Sequence, residues 1–337
     1  MQYIPDTEHR TPKKRIDYID FLKGLTILGV IFVHSGGHPS WFTPNHVNTI
    51  FFFLAGIFFK PRPFKQLVKK NFYSLIIPFL FFFLLSYPVN LIFEYWDHRE
   101  LSALSWDAIF DLFEIHTRAD YLSVNVPLWF ILCIFVVQMI YWCISHFPQW
   151  GQWASMAVIF MVSGYINENV PTPFMINNAV YFTLYFGIGN LLGLYLIKWF
   201  GNKSLRIIII ALSLILVLAS YWCLSIPELQ KSKMVESIHF LGYSICCMGL
   251  CSFLNGIKRL EWLRFFGINT LVILGVHILF LIPINRCLYM LMNHQESIIL
   301  AILDTTLCAL IMIPVIIFIN QAIPIATGKY PNRHSNF

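Results

Sequence analysis

Of the 337 residues, 58% are hydrophobic, 17% aromatic and only 12% charged, and the mean hydropathy is +0.67. Soluble domains carry about 25% charged residues, so a chain this poor in charge cannot cover its own surface in water, and lipid is its natural solvent. The net charge of +6 would suit nucleic acid, but the basic residues sit in short stretches between apolar runs, where membrane topology accounts for them and no nucleic-acid partner is expected.

The first fifteen residues are polar and end in Lys13, Lys14 and Arg15. No small-residue cleavage site follows the next apolar run, so residues 1–15 read as a tail rather than a signal peptide. A helix needs about 20 mainly apolar residues to cross a ~30 Å hydrocarbon core. On that measure ten segments qualify, at about 17–35, 46–60, 72–93, 127–146, 153–168, 179–199, 206–224, 235–255, 266–286 and 298–320, the second and fifth being short. The expected fold is an all-α integral membrane protein, a polytopic bundle of about ten transmembrane helices. A single membrane domain over 16–320 is expected, with a closing tail at 321–337. No internal repeat is visible, so nothing favours an inverted-repeat transporter architecture.

Ten crossings put both ends on one side, and the charges say which. One face collects 17 of the 23 basic residues, from the N-terminal tail, the stretch 60–70, Lys198 to Arg206, Lys258 to Arg264 and the C-terminal tail. The other face holds five, and Lys23 lies within a span. Positive charge marks the cytoplasmic side, so the expected location is a cell (inner or plasma) membrane, crossed many times, with both termini on its cytoplasmic side. The longest external stretch, about 94–126, is acidic, and the amphipathic pattern at 106–113 suggests a short helix lying on the outer surface. The eight cysteines lie in or beside apolar runs with no C-x-x-C pair. They read as small buried hydrophobes, with neither a disulfide framework nor a metal site.

Ionisable groups inside a span cost at least ~2.5–3.5 kcal/mol each on insertion scales and mark functional sites by default. The first span carries three: Asp20, Lys23 and His34. At ~100° per residue all three fall within roughly 60–80° of arc, and at ~1.5 Å rise His34 stands ~16 Å beyond Lys23. Such a stripe wants a hydrated cavity. A structural ion pair between Asp20 and Lys23, with Lys23 reaching for the interface, fits the same pattern, as does an interfacial His34 below a Gly36–Gly37 turn. His277 is the other deep histidine, in the ninth span, two turns beyond Asn269 and Thr270; alone it fits a satisfied packing residue as well as a functional one. His239 and Asn285 lie toward the outer face. His46 and the remaining histidines fall in loops or at interfaces and suggest no chemistry.

Arg15-Ile16-Asp17-Tyr18-Ile19-Asp20-Phe21-Leu22-Lys23-Gly24, followed after ten residues by His34, resembles the first-span signature of the acyltransferase 3 family of integral membrane O-acyltransferases. Lys at position 23 is the usual choice in the branch that resembles fucose 4-O-acetylases and enterobacterial-common-antigen acetyltransferases. Four further stretches resemble family motifs in the same order. Residues 51–59 resemble "FFxLSGxFF", with Ala55 for its Ser. Lys69, Lys70 and the run to Pro78 resemble the basic lead-in to "LLIPY". Pro127 to Phe130 resemble "LWF", and Gly267 to His277 the late "GxxSLxIYxxH".

The resemblance implies a cytoplasmic acyl-CoA donor, by default acetyl-CoA as co-substrate, and as acceptor a sugar hydroxyl on a cell-surface or lipid-linked glycan. Lys69, Lys70, Arg206 and Arg264 then form a basic collar for the CoA phosphates, although the positive-inside rule alone accounts for them. Transfer to an alcohol needs a base, and histidine is matched to neutral pH. His34 is the expected general base, or a transiently acylated nucleophile, with Asp20 and Lys23 shaping the channel and contacting the donor. His277 would orient substrate or stabilise the thioester oxyanion. Trp129, His239 and Asn285 are candidate sugar contacts, Trp129 serving packing equally well. A transporter or flippase without chemistry, and a structural subunit of an export complex, are the competing classes. Lipids are the remaining expected partner, and self-association into a homo-oligomer is left open.

Overall fold

The computed structural model describes residues 15–35, 38–98, 124–163, 165, 172, 175–292 and 297–328. Among them the fold is all-α, without a β-strand. The expected external stretch lies mostly outside the described residues, as do the surface helix at 106–113, the Gly36–Gly37 turn and most of both tails.

A helix stands at each of the ten expected places. In chain order these are α1 (Asp17–His34), α2 (Pro44–Ile57), then α3 (Phe64–Asn71) running through a π-helical turn (Phe72–Ile76) into α4 (Ile77–His98). Next come α5 (Trp129–Ile144), α6 (Gln149–Ser163), α7 (Ile176–Phe200), α8 (Lys203–Leu224) and α9 (Lys233–Ser252). The ninth expected span is two helices, α10 (Glu261–Ile268) and α11 (Thr270–Leu291), and α12 (Ile298–Ala322) closes the bundle. Among the described residues seven helical segments are long and apolar enough to cross a membrane: Phe64–Phe93, Val126–Ile144, α7, α8, α9, α11 and α12. α2 and α6 have 14 and 15 residues, short of a full crossing, and α1 carries Asp17, Asp20 and Lys23 within its 18 residues.

Physical causes are visible locally. The π turn precedes Pro78, whose ring nitrogen has no hydrogen to donate, so the ladder is already interrupted there. α3 is amphipathic: Leu67 and Asn71 are buried while Lys65, Lys69 and Lys70 face out. In α8 only Ser213 and Ser220 are buried. Its isoleucines and leucines cover the outside of the molecule, a surface that water would not tolerate and lipid does.

α1 is the hub despite its charges, packing against α2, α9, α10, α11 and α12. Close approach depends on glycine pairs, as is usual where lipid offers no hydrophobic drive and van der Waals contact must hold helices together. A Cβ on Gly24 would strike the Leu263 carbonyl of α10, and one on Gly267 would strike the Asp20 carbonyl of α1. Gly56 of α2 and Gly189 of α7 make the same reciprocal contact, with the Phe186 and Phe53 carbonyls respectively. Beside it Phe52 stacks on Phe182 with ring centroids 4.3 Å apart.

Candidate active site

The first helix presents one continuous edge: Ile16, Asp20, Lys23, Ile27, Val30 and His34, each three or four residues from the last. Two cavities lie along it in sequence. Arg15, Ile16, Asp20 and Lys23 line a mouth of about 360 Å³ with Phe58, Gly267 and Thr270. Ile27 and Val30 line the next, a narrow apolar space of about 100 Å³, with Asn48, Phe130, Thr270 and Leu274 among its other walls. Thr270 borders both. Beyond them the edge ends at His34, whose side chain is exposed.

α11 supplies the opposite edge, from Thr270 and Leu274 to His277. The rings of His34 and His277 lie 5.5 Å apart between centroids, tilted by 49°. His277 is fully buried. Its Nδ1 lies 2.9 Å from the Ile273 carbonyl and 3.2 Å from that of Leu274. Both oxygens can only accept, so Nδ1 carries the proton and Nε2 is left as an acceptor; Nε2 is buried with no partner. The neutral ring therefore has no N–H to give a thioester oxyanion, and of the two roles expected for His277 only orientation suits this tautomer. Among the described residues His34 makes no hydrogen bond, which leaves both of its nitrogens available.

At the mouth, Lys23 Nζ stands 3.7 Å from Asp20 Oδ1 and 5.7 Å from the centroid of the Phe58 ring. Asp20 Oδ2 is buried without a partner. Arg264 approaches the edge of this region, 3.6 Å from Asp17 and 3.2 Å from Glu261. Lys69 and Lys70 are exposed on α3, outside the lining of the mouth. Arg206 donates to the Ser252 carbonyl at 3.3 Å and covers the Phe253 ring at 4.7 Å, so its contacts tie α8 to the end of α9.

The three expected sugar contacts are dispersed. Trp129 is 5% exposed, with Phe130 and Phe182 at 6.0 and 5.9 Å between centroids. Asn285 donates to Asp304 Oδ2 at 2.6 Å. His239 meets His46, 3.4 Å between Nε2 atoms, a partner that no motif or spacing announces. Asp304 is fully buried and its Oδ1 has no partner; an acid within an apolar run was its signal. α12 also closes the site through Thr305, whose hydroxyl is 3.4 Å from that of Ser35, immediately after His34.

Neither curated proteins nor solved structures give a match to this chain. A family model does, described as an acyltransferase domain and matching residues 16–321. That range begins one residue before α1, ends within α12, and takes in every residue of the two converging edges; the chain belongs to the acyltransferase 3 family and is a membrane acyltransferase.

Proposed function

We propose that the protein transfers an acyl group, by default acetyl, from cytoplasmic acyl-CoA to a sugar hydroxyl of a cell-surface or lipid-linked glycan, the kind of acceptor implied by the fucose 4-O-acetylase-like branch of the family. The observation that carries this reading is the edge of α1, where a charged mouth, a narrow apolar passage and an accessible histidine follow one another. Lys23 to His34 spans about 16 Å of helix, a length suited to the thin arm of CoA. In this reading α1, α2 and α6 also cross the membrane, giving ten crossings with both termini cytoplasmic. The basic stretches near the Lys23 end support that orientation.

The acyl-CoA enters at the mouth, where Lys23 and Arg15 meet its phosphates, and the thioester reaches His34. A free imidazole nitrogen of His34 takes the proton from the sugar hydroxyl as its oxygen attacks the thioester carbonyl carbon. The new C–O bond forms, the C–S bond breaks, and the departing thiolate recovers the proton from the imidazolium. His277 Nε2, an acceptor, orients the sugar by taking a hydrogen bond from a second hydroxyl, since the single O–H of the reacting hydroxyl is given to His34.

Acyl transfer from labelled acetyl-CoA in membranes tests the proposal. His34→Ala should lower it about 10²–10⁴-fold; normal transfer by that variant would sink the mechanism. A label that stays on His34 when no acceptor is present would replace the base mechanism with a covalent relay. Surface glycans from cells lacking the protein should lose one acyl group at each acceptor site.

A further inference from the structure

At the same end of the bundle as His34, a separate cavity of about 450 Å³ opens between the start of α2, the end of α8 and the start of α9. That is an ordinary size for a small-molecule site. It shares no residue with either cavity along α1. Three of its lining residues, Ser40, Trp41 and Thr43, follow His34 within nine positions of the sequence.

The walls are neutral and rigid. Thr43 N–H donates to His46 Nδ1 at 3.1 Å, so the ring proton sits on Nε2 and points at His239 Nε2, 3.4 Å away. His239 Nδ1 in turn donates to Ser220 Oγ at 3.1 Å, and that hydroxyl donates to the Leu216 carbonyl at 2.7 Å. All four ring nitrogens are committed without a charge, and both histidines are 7% exposed. Glu236, the acid in the wall, is held by Asn45 at 3.1 Å and neutralised by Lys233 at 2.9 Å. Facing these fixed groups are two open rings, Trp41 at 63% and Tyr221 at 57% exposure, with Gln230 and Ser225 beside them.

A cation would need an acid that is not already paired, and an anion would meet the Glu236 carboxylate. An acyl chain would leave the polar groups dry. Fixed acceptors and amide donors beside open aromatic faces suit a ligand with many hydroxyls and apolar C–H faces. We propose that this cavity binds a neutral sugar unit of the acceptor, next to the unit whose hydroxyl reacts at His34. The inference rests on the proposed sugar acceptor and adds where its neighbouring unit sits.

The test is binding by the full-length protein in lipid nanodiscs, with no acyl-CoA present. The probes are neutral methyl hexosides and disaccharides, with cyclohexanemethanol as an apolar control, read by saturation-transfer NMR. Saturable glycoside binding is expected in the wild type and in His34→Ala. Trp41→Ala and Glu236→Gln should each weaken it about ten-fold, and Trp41→Tyr, which keeps an aromatic face, should restore most of it, with melting curves confirming that each variant is folded. Absence of glycoside binding overturns the proposal. So does binding that both weakening variants leave unchanged, or binding of cyclohexanemethanol alone, which would mark Trp41 as a membrane-interface residue. Glycoside binding in a protein that fails to acylate any sugar would sink the proposed transfer and leave this site standing.

Discussion

Gly24 and Gly267 touch each other's helices backbone to backbone, and ten residues beyond each stands one member of the histidine pair, His34 and His277. The histidines are thus set by one shared close contact, reached without interruption along about 15 Å of α1 and, on the other side, across the break at Asn269 between α10 and α11. Their 5.5 Å ring separation depends on how closely that contact holds α10 to α1.

Gly24→Ala and Gly267→Ala should therefore damage the site without touching it. In each case the added methyl meets a backbone carbonyl, which cannot swing aside as a side chain would, so the helices must part. Overpacking of this kind costs about 1–3 kcal/mol, and activity should fall further than stability because the histidines separate. Gly201→Ala is the control: a Cβ there meets one carbonyl, at 3.1 Å, in an ordinary helical conformation. Melting in detergent alongside acyl transfer would check this, and unaltered activity in both α1–α10 variants would break the link.

For His277 the distinction lies between packing and orientation. His277→Phe fills the buried space but removes the unpartnered Nε2 acceptor. If the nitrogen orients the acceptor sugar through a second hydroxyl, kcat should fall about 10²-fold while the KM for acyl-CoA and the melting point stay close to wild type. Full activity in that variant would reduce His277 to a space-filling residue.

How much of this was legible beforehand follows from range along the chain. The all-α class, the helix positions and the Asp20–Lys23–His34 edge depend on hydropathy and a 3.6-residue period, which are local. The pairings are not local: Gly24 with Gly267, His46 with His239 and Asn285 with Asp304 join helices whose order of packing no periodicity encodes. His46 looked like a loop residue because the segment before α2 is polar, yet its Nδ1 caps that helix and its Nε2 reaches α9. Trp129 is ambiguous for a related reason, since a Trp at the start of an apolar run is the same in sequence whether it faces a ligand or packs, and nothing local announces Phe130 and Phe182 beside it.

Lys23 should govern the donor rather than the chemistry. It lies at the mouth with Asp20, about 16 Å of helix short of His34. The wild type should be stabilised thermally by CoA; Lys23→Leu should raise the KM for acyl-CoA and abolish that stabilisation, and Lys23→Arg should stay close to the wild type in both. Asp20→Asn should do less, because it leaves the cation in place. Unchanged CoA stabilisation in Lys23→Leu would confine the residue to its ion pair.

The passage itself can be blocked. Ile27 and Val30 line the narrow space of about 100 Å³ between the mouth and His34, and neither has a group that could take part in acyl transfer. Val30→Phe adds a ring to this small space, and empty volume means the ring can enter without displacing the backbone. CoA should still stabilise the protein through the mouth, while transfer to the acceptor falls sharply. Short and long acyl donors sharpen the outcome: if the thioester travels along this edge, the longer acyl chain should suffer the larger loss in Val30→Phe. Equal rates for both donors, at wild-type level, would mean that the acyl group reaches His34 by another route.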